Sequence, residues 1–69
     1  MSQTIRSILA KNIKKLRLER NLKREELSLI LGFDNSYISK LEKQKINITI
    51  DKLEKIAAYF ETEAYNLLK

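Results

Sequence analysis

Four polar side chains of short to medium reach lie close together near the middle of the chain: Asn35, Ser36, Ser39 and Lys40. An amide, two hydroxyls and an ammonium group can match the donor and acceptor pattern that base edges present in the major groove of DNA. On a helical wheel these four residues share one side, whereas Ile38 and Leu41 lie on the other. Taken alone, such residues are also what any solvent-exposed helix carries, so the segment needs support from its surroundings.

That support comes from the only glycine in the sequence, which separates two short helical patterns. The apolar positions of the two patterns are Leu27, Ile30 and Leu31 before the glycine, and Ile38 and Leu41 after it. Each pattern has one narrow apolar side, and both sides must face a common core. Gly32 stands where a left-handed residue can end the first helix, and Asp34 can accept hydrogen bonds from the free amides of the next one. The arrangement predicts a helix-turn-helix at about residues 24–43.

Five helices are predicted in all. The first runs over about residues 4–20, with Thr4 as its cap and Asn21 as a left-handed stop. The helix-turn-helix contributes helices at about 24–31 and 35–43, and a loop follows. The fourth helix begins near Thr49, whose hydroxyl can cap it, and the segment 61–69 can form a short fifth helix.

The helices outside the helix-turn-helix also carry apolar stripes that predict inward positions. These positions are Ile5, Leu9, Ile13 and Leu16 in the first helix, Ile50, Leu53, Ile56, Ala57 and Phe60 in the fourth, and Ala64, Leu67 and Leu68 in the fifth. Leu18 does not fit the stripe and is expected to be exposed. The basic side of the first helix, formed by Lys11, Lys14, Lys15 and Arg20, is interpreted mainly as a solvated face.

Composition restricts the possible functions. Sixty-nine residues make one domain at most, so residues 1–69 are interpreted as a single domain. The net charge of +5 favours a polyanionic partner. The absence of His and Cys removes the usual catalytic base, nucleophile and metal ligands, so we expect neither an enzyme nor a metal or cofactor site. No apolar run approaches the ~20 residues of a membrane span, and no small-molecule ligand is evident.

Residues 13–68 resemble the Cro/CI-type (XRE) helix-turn-helix family of small DNA-binding regulators. The matching residues, in the family's order and spacing, are Leu16-Arg17, Glu26-Leu27, Gly32, Tyr37-Ile38-Ser39 and Leu41-Glu42. Within that family, the stretches RLERNLKREEL and DNSYISKLEKQKINITIDKLEKIA look most like the controller proteins of restriction-modification systems. The resemblance implies an all-α, five-helix, lambda-repressor-like domain in a bacterial or phage cytoplasm.

The resemblance also implies roles for individual residues. It pairs Arg17 with Glu42 as a buried ion pair, and it supports base reading by Ser36 and Ser39. It places Tyr37 near the DNA backbone or a flexible base step, and Asn47 and Thr49 at phosphates. Arg24, Lys43 and Lys45 are expected to add contacts to the DNA backbone through their positive charge. The implied dimer interface comprises Tyr59, Ala64, Tyr65 and Leu68; the alternative interpretation is that Tyr59 and Tyr65 only cover the small core.

The sequence departs from the family pattern at several positions. Lys23 and Arg24 replace the usual Ser or Thr followed by Gln at the start of the second helix, and Lys23 cannot cap it. Asn35 stands where the controllers often carry Arg, which shifts the expected preference from guanine towards adenine. Gln44 replaces a frequent glycine, and Ile46 replaces a basic residue.

The predicted function is therefore a DNA-binding transcriptional regulator that binds a partly palindromic operator in double-stranded DNA as a homodimer, most like a restriction-modification controller. Two alternatives share the fold: a phage-type repressor, and an antitoxin-like or other protein-interaction module.

Overall fold

The structure, a computed structural model, describes residues 4–69; residues 1–3 of the predicted domain lie outside the described part. The described chain forms α1 (Ile5–Glu19), α2 (Arg24–Ile30), α3 (Tyr37–Glu42), α4 (Ile50–Tyr59) and a closing 3-10 helix (Ala64–Leu68). Residues 4–69 contain no strand, so the predicted all-α class is confirmed for this range. The count of five α-helices is not confirmed, because the last segment is a short 3-10 helix.

The starts of the helices follow local chemistry. Thr4 and Thr49 precede α1 and α4, and each hydroxyl accepts a hydrogen bond at 3.1 Å from the amide three residues further on. Lys23 precedes α2 and has no side-chain acceptor, so this helix lacks such a cap. Instead the carboxylate of Glu26 accepts a hydrogen bond from the Lys23 amide at 2.8 Å. This is one of the two hydrogen bonds of a capping box; the other needs an acceptor side chain at position 23.

All four α-helices end in the same way, with a residue of positive φ. These residues are Asn21 (φ 57°), Gly32 (φ 76°), Gln44 (φ 60°) and Glu61 (φ 57°). Each of their amides donates to the carbonyl three residues earlier, and the following amide donates to the carbonyl five residues earlier. This paired pattern is the Schellman motif. The sequence predicted the left-handed stops at Asn21 and Gly32, but it gave no signal for the two at Gln44 and Glu61.

One apolar core joins the four helices and the 3-10 helix. Its buried members are Leu9, Ile13, Leu27, Leu31, Tyr37, Ile38, Leu41, Leu53, Ile56, Ala57, Phe60 and Leu67. Leu16, Ala64 and Leu68 are half-buried and pack against it. Most predicted inward positions are thus confirmed, and Leu18 is exposed as expected.

Three predicted core residues are instead exposed: Ile5 (62%), Ile30 (51%) and Ile50 (70%). Ile5 and Ile50 are the first residues of their helices, where few neighbours surround a side chain. In α2 the buried side contains Leu27, Ser28 and Leu31. Since each residue turns a helix by about 100°, burial of Ser28 rotates the inward side away from Ile30.

Candidate nucleic-acid interface

The predicted reading helix is shorter than the sequence indicated. Helix α3 begins at Tyr37, and Asn35 and Ser36 form a turn before it, so the predicted start at Asn35 is wrong. The cause is Asp34, which holds this turn. Its Oδ2 accepts hydrogen bonds from the Ser36 hydroxyl at 2.6 Å and from the Ser36 amide at 3.4 Å, and its carbonyl accepts from the Tyr37 amide at 3.0 Å.

The turn before α3 has a defined electrostatic character. Hydrogen bonds from Ser36, above all from its hydroxyl, hold the pKa of the exposed Asp34 carboxyl below its usual value, and the positive charge of Lys40 acts in the same direction. Asn35 is exposed in this turn, whereas the Ser36 hydroxyl is already engaged as a donor. The amide of Asn35 therefore has the most open position of the predicted reading residues in the turn.

The outward side of α3 is small and polar. Ser39 is half-buried and Lys40 is exposed, whereas Ile38 and Leu41 are buried in the core. The predicted division of this segment into a polar and an apolar side is therefore present within α3 itself. Asn35 and Ser36, which were predicted to lie on the same polar side of the helix, lie in the turn before α3.

Tyr37, a predicted contact to the DNA backbone, is buried in the apolar core. It is 9% exposed, its ring meets Phe33 edge-on at a centroid distance of 4.8 Å, and the Lys52 Nζ lies 4.5 Å from the ring centroid. Its hydroxyl is buried without a hydrogen-bond partner among residues 4–69. Burial raises the pKa of the Tyr37 hydroxyl above its ordinary value. The contact of Tyr37 to the DNA backbone therefore stays a prediction.

Ser28 is a buried polar residue that the sequence patterns missed. It has no exposed surface, and its Oγ accepts a hydrogen bond from the Ile38 amide at 3.0 Å while donating to the Arg24 carbonyl at 3.0 Å. The Ser36 side chain, which precedes α3, makes no capping bond to it. The only sequence signal for Ser28 was a small polar residue between two inward leucines.

Arg17 and Glu42 form a buried, two-bond ion pair between α1 and α3. The Arg17 Nε lies 2.8 Å from Glu42 Oε2, Nη2 lies 3.2 Å from Oε1, and neither side chain is more than 6% exposed. The third guanidinium nitrogen of Arg17, Nη1, donates to the Leu22 carbonyl at 2.7 Å. Arg24, predicted as a phosphate contact, also donates to Glu42 Oε1 at 3.1 Å, with its side chain 46% exposed.

The loop between α3 and α4 carries the other predicted backbone contacts. Lys43, Lys45 and Asn47 are exposed, and the Thr49 hydroxyl is committed to capping α4. The side chain of Asn47 accepts a hydrogen bond from the Arg6 guanidinium. Sequence reasoning did not include Arg6, whose pairing with Asn47 across 41 positions of sequence has no local signature.

The predicted dimer residues do not form one surface of uniform character. Arg20 stacks on Tyr59 at 5.0 Å, and its guanidinium also donates to the Tyr59 carbonyl at 3.3 Å. Tyr59 is therefore half-buried within its own chain, whereas Tyr65 is 62% exposed. Ala64 and Leu68 are half-buried.

Leu68 also lines an apolar groove of about 330 Å³. The other apolar residues lining this groove are Ile5, Leu9, Leu41, Ile46, Ile48, Ile50 and Leu53. It includes two of the three exposed isoleucines, so the exposure of Ile5 and Ile50 is concentrated in one place. We call this surface the isoleucine groove.

Two kinds of site were not found in the described residues. Between residues 4 and 69 no group of three or more acidic, His or Cys side chains is placed to hold a metal ion. Across the same range, no helix has the length and apolar character needed to cross a membrane.

Comparison with known proteins adds a family and several relatives. Residues 13–65 match the helix-turn-helix family. A hypothetical transcription factor of Neisseria meningitidis serogroup B (strain ATCC BAA-335 / MC58) is 36% identical over 66 residues, which make up 96% of this chain. The chain spans only 62% of the length of that relative. The control protein C.SmaI of Serratia marcescens is 34% identical over 64 residues, covering 93% of this chain and 76% of C.SmaI.

The fold is similar to that of a solved controller. The crystal structure of the restriction-modification controller protein C.Esp1396I superposes with a TM-score of 0.81 at 31% identity, covering 97% of this chain and 90% of the other. A nucleoprotein complex of C.Esp1396I also matches, with a TM-score of 0.77 at 32% identity, covering 96% and 86% of the respective chains. The names of these relatives indicate regulators, and none of them indicates a catalytic activity.

Proposed function

Because the chain belongs to the helix-turn-helix family over residues 13–65, we propose that it is a sequence-specific DNA-binding transcription regulator. The observation that carries this proposal is the unit of α2, the Gly32 turn and α3, in which the polar side of α3 and the preceding turn face outward. A helix presented in this way can enter the major groove, where base edges carry a distinct donor and acceptor pattern.

In the proposed complex, Asn35, Ser36, Ser39 and Lys40 lie nearest the base edges. Asn35 is the strongest candidate, because it is exposed and its amide can bond to both N6 and N7 of adenine. The Ser36 hydroxyl donates its proton to Asp34, so it contributes as an acceptor, through the lone pairs of its oxygen. Lys40 adds a flexible donor from the exposed side of α3.

Phosphate contacts are proposed along the loop between α3 and α4 and beside it. Lys43 and Lys45 are exposed cations, and the Arg6 guanidinium adds positive charge at Asn47. Arg24 can contribute a guanidinium edge that its bond to Glu42 leaves free, since Arg carries five N–H donors. Such contacts position a protein on the duplex and make its affinity depend on salt.

A restriction-modification controller is the regulator type that the relatives favour. C.SmaI and C.Esp1396I are control proteins, and both match almost the whole of this chain. The proposed role is therefore regulation of a restriction-modification operon through a partly palindromic operator. The same fold serves phage-type repressors and antitoxin-like modules, so the operator and its neighbouring genes decide among them.

A homodimer on two half-sites is part of the proposal. Half-sites about one helical turn apart place the two reading helices in successive major grooves. The isoleucine groove supports association, because Ile50 is 70% exposed and Ile5 is 62% exposed, and exposed apolar patches often mark protein–protein contacts. Tyr65 and Leu68, at the end of the chain, extend the candidate interface.

Selection of binding sites from random duplexes with the purified protein tests the proposed function. We expect enrichment of a palindromic sequence with regular half-site spacing at physiological salt. An unselective pool would reject sequence-specific binding. Sedimentation of Ile50→Glu, compared with Leu29→Glu as an equally apolar exposed position outside the groove, tests the dimer. Loss of association in Leu29→Glu alone would place the interface elsewhere.

A further inference from the structure

The start of α3 depends on a hydrogen bond from another helix. The first amides of any helix lack partners within that helix, and they usually bond to the side chain of the residue that precedes it. Here the Ser36 side chain donates to Asp34 and does not cap the helix. The Ile38 amide donates instead to Ser28 Oγ in α2, at 3.0 Å.

The bond between Ser28 and Ile38 is fully enclosed. Both residues are 0% exposed, so water cannot replace the serine oxygen. The direction of the bond is also fixed, because the Ser28 hydroxyl proton is directed to the Arg24 carbonyl at 3.0 Å, which leaves an oxygen lone pair for the Ile38 amide. A donor left without its acceptor in such a place loses its hydrogen bond and gains none from solvent.

We propose that Ser28 is a positioning residue that fixes the location of α3 relative to α2, and thereby sets the sequence discrimination of the reading surface. This inference rests on the proposed DNA-binding function, and it concerns a residue that does not touch DNA. Apolar packing between α2 and α3 sets their separation, and polar contacts between them fix the position of one helix along the other. Two polar contacts join α2 to α3: the Arg24–Glu42 ion pair at the end of α3, where the Arg24 side chain is 46% exposed, and the buried hydrogen bond from the Ile38 amide to Ser28 Oγ at its start. The second of these sets the position of the start of α3, where the candidate reading residues lie.

The position of α3 matters because its reading surface is short. Asn35, Ser36, Ser39 and Lys40 lie within six residues of sequence, at or just before the start of the helix. Their side chains are anchored close to the Ile38 amide, so a shift there moves every candidate base contact together. Hydrogen bonds to base edges require donor-to-acceptor distances of about 2.7 to 3.2 Å, so a small shift of α3 weakens them.

The test uses Ser28→Ala and Ser28→Cys with Ile56→Val as a matched control. Ala removes the acceptor, whereas Cys keeps a side chain there with a much weaker one. Ile56 is equally buried, in α4, and its shortening lowers stability without touching this hydrogen bond. Each variant is assayed at a temperature at which its circular dichroism matches that of the wild type.

The measured quantity is the ratio of affinities for the selected operator and for an operator with one substituted base pair in each half-site. We expect Ser28→Ala to reduce this ratio by about fivefold or more, the size of one lost base contact. Ser28→Cys should reduce it less, and Ile56→Val should leave it unchanged. If Ser28→Ala does not fold, the positioning role is tested by comparing the affinity ratios of Ser28→Cys and Ile56→Val.

Two outcomes separate failure of this inference from failure of the proposed function. A wild-type protein that discriminates, together with folded Ser28 variants that keep the full ratio, would overturn the positioning role of Ser28. A wild-type protein that does not discriminate would reject the proposed function itself. In that case hydrogen exchange still tests whether Ser28 caps α3. If it does, the Ile38 amide should exchange faster in Ser28→Cys than in Ile56→Val.

Discussion

Arg17 and Glu42 bind the first helix to the reading helix through two parallel hydrogen bonds, of 2.8 and 3.2 Å, in a place where neither side chain is more than 6% exposed. A guanidinium and a carboxylate matched in this way satisfy each other's charge and hydrogen bonds. The third guanidinium nitrogen of Arg17 donates to the Leu22 carbonyl, so the same side chain also fixes the connection between α1 and α2.

Glu42→Ala should therefore destabilise the fold by about 3 to 5 kcal/mol, because it leaves the Arg17 charge buried without its partner. Urea unfolding followed by circular dichroism measures the loss. Arg24→Ala is the matched control, since Arg24 bonds to the same carboxylate but its side chain is 46% exposed. A Glu42→Ala midpoint equal to that of Arg24→Ala would show that the buried pair contributes no more than the exposed one.

Gln44→Gly should stabilise the protein. Gln44 has φ 60° in the Schellman motif that ends α3. A left-handed conformation costs a residue that has a Cβ about 1 to 2 kcal/mol, and glycine avoids this cost. Glycine also loses more conformational entropy on folding, which offsets about 0.5 to 1 kcal/mol of the gain. The expected net gain is at most about 1.5 kcal/mol, measurable as a higher urea midpoint. Gln44→Ala keeps the Cβ and should show no gain, so equal midpoints for the two variants would refute the explanation.

Ser36→Ala should raise the pKa of Asp34. The Ser36 hydroxyl is the main cause of the lowered Asp34 pKa, so its removal moves the carboxyl back towards 3.8. A lowered native pKa stabilises the folded state above the unfolded pKa, and the contribution disappears as the pH falls through the native value. Titration by NMR at the Asp34 carboxyl measures the shift. An unchanged Asp34 pKa in Ser36→Ala would contradict the assigned hydrogen bond.

Lys43→Ala and Lys45→Ala should each weaken operator binding and flatten its salt dependence. For a lysine that contacts one phosphate, the slope of log K against log salt should change by about 1. Fluorescence anisotropy across a salt series measures this slope. Lys14→Ala, on the exposed basic side of α1, is the charge-matched control. Equal changes in all three variants would mean that net charge alone controls binding.

Features set by neighbouring residues were predictable from the sequence. The caps at Thr4 and Thr49, the glycine stop at Gly32 and the buried Leu27 and Leu31 all follow from side-chain chemistry or helical spacing. The family resemblance added the pairing of Arg17 with Glu42, which no local pattern contains.

Features that depend on tertiary packing were not predictable in this way. The burial of Tyr37, whose ring contacts Phe33 and the Lys52 ammonium group, was not predicted. Asn35 was placed within a helix, because the helical spacing did not show that Asp34 would hold the turn. The hydrogen bond by which Ser28 caps α3 joins two residues that are 10 positions apart and lie in different helices. The apolar spacing within one helix cannot predict such a bond.

The central claim, that the turn before α3, α3 and the following loop form the DNA-binding surface, is tested most directly by NMR. Backbone amide shifts would be recorded while the selected operator duplex is added. The account predicts that the largest changes fall within residues 35–49, with little change at the basic side of α1 around Lys11, Lys14 and Lys15. Changes concentrated on that side of α1, with residues 35–49 unaffected, would contradict it.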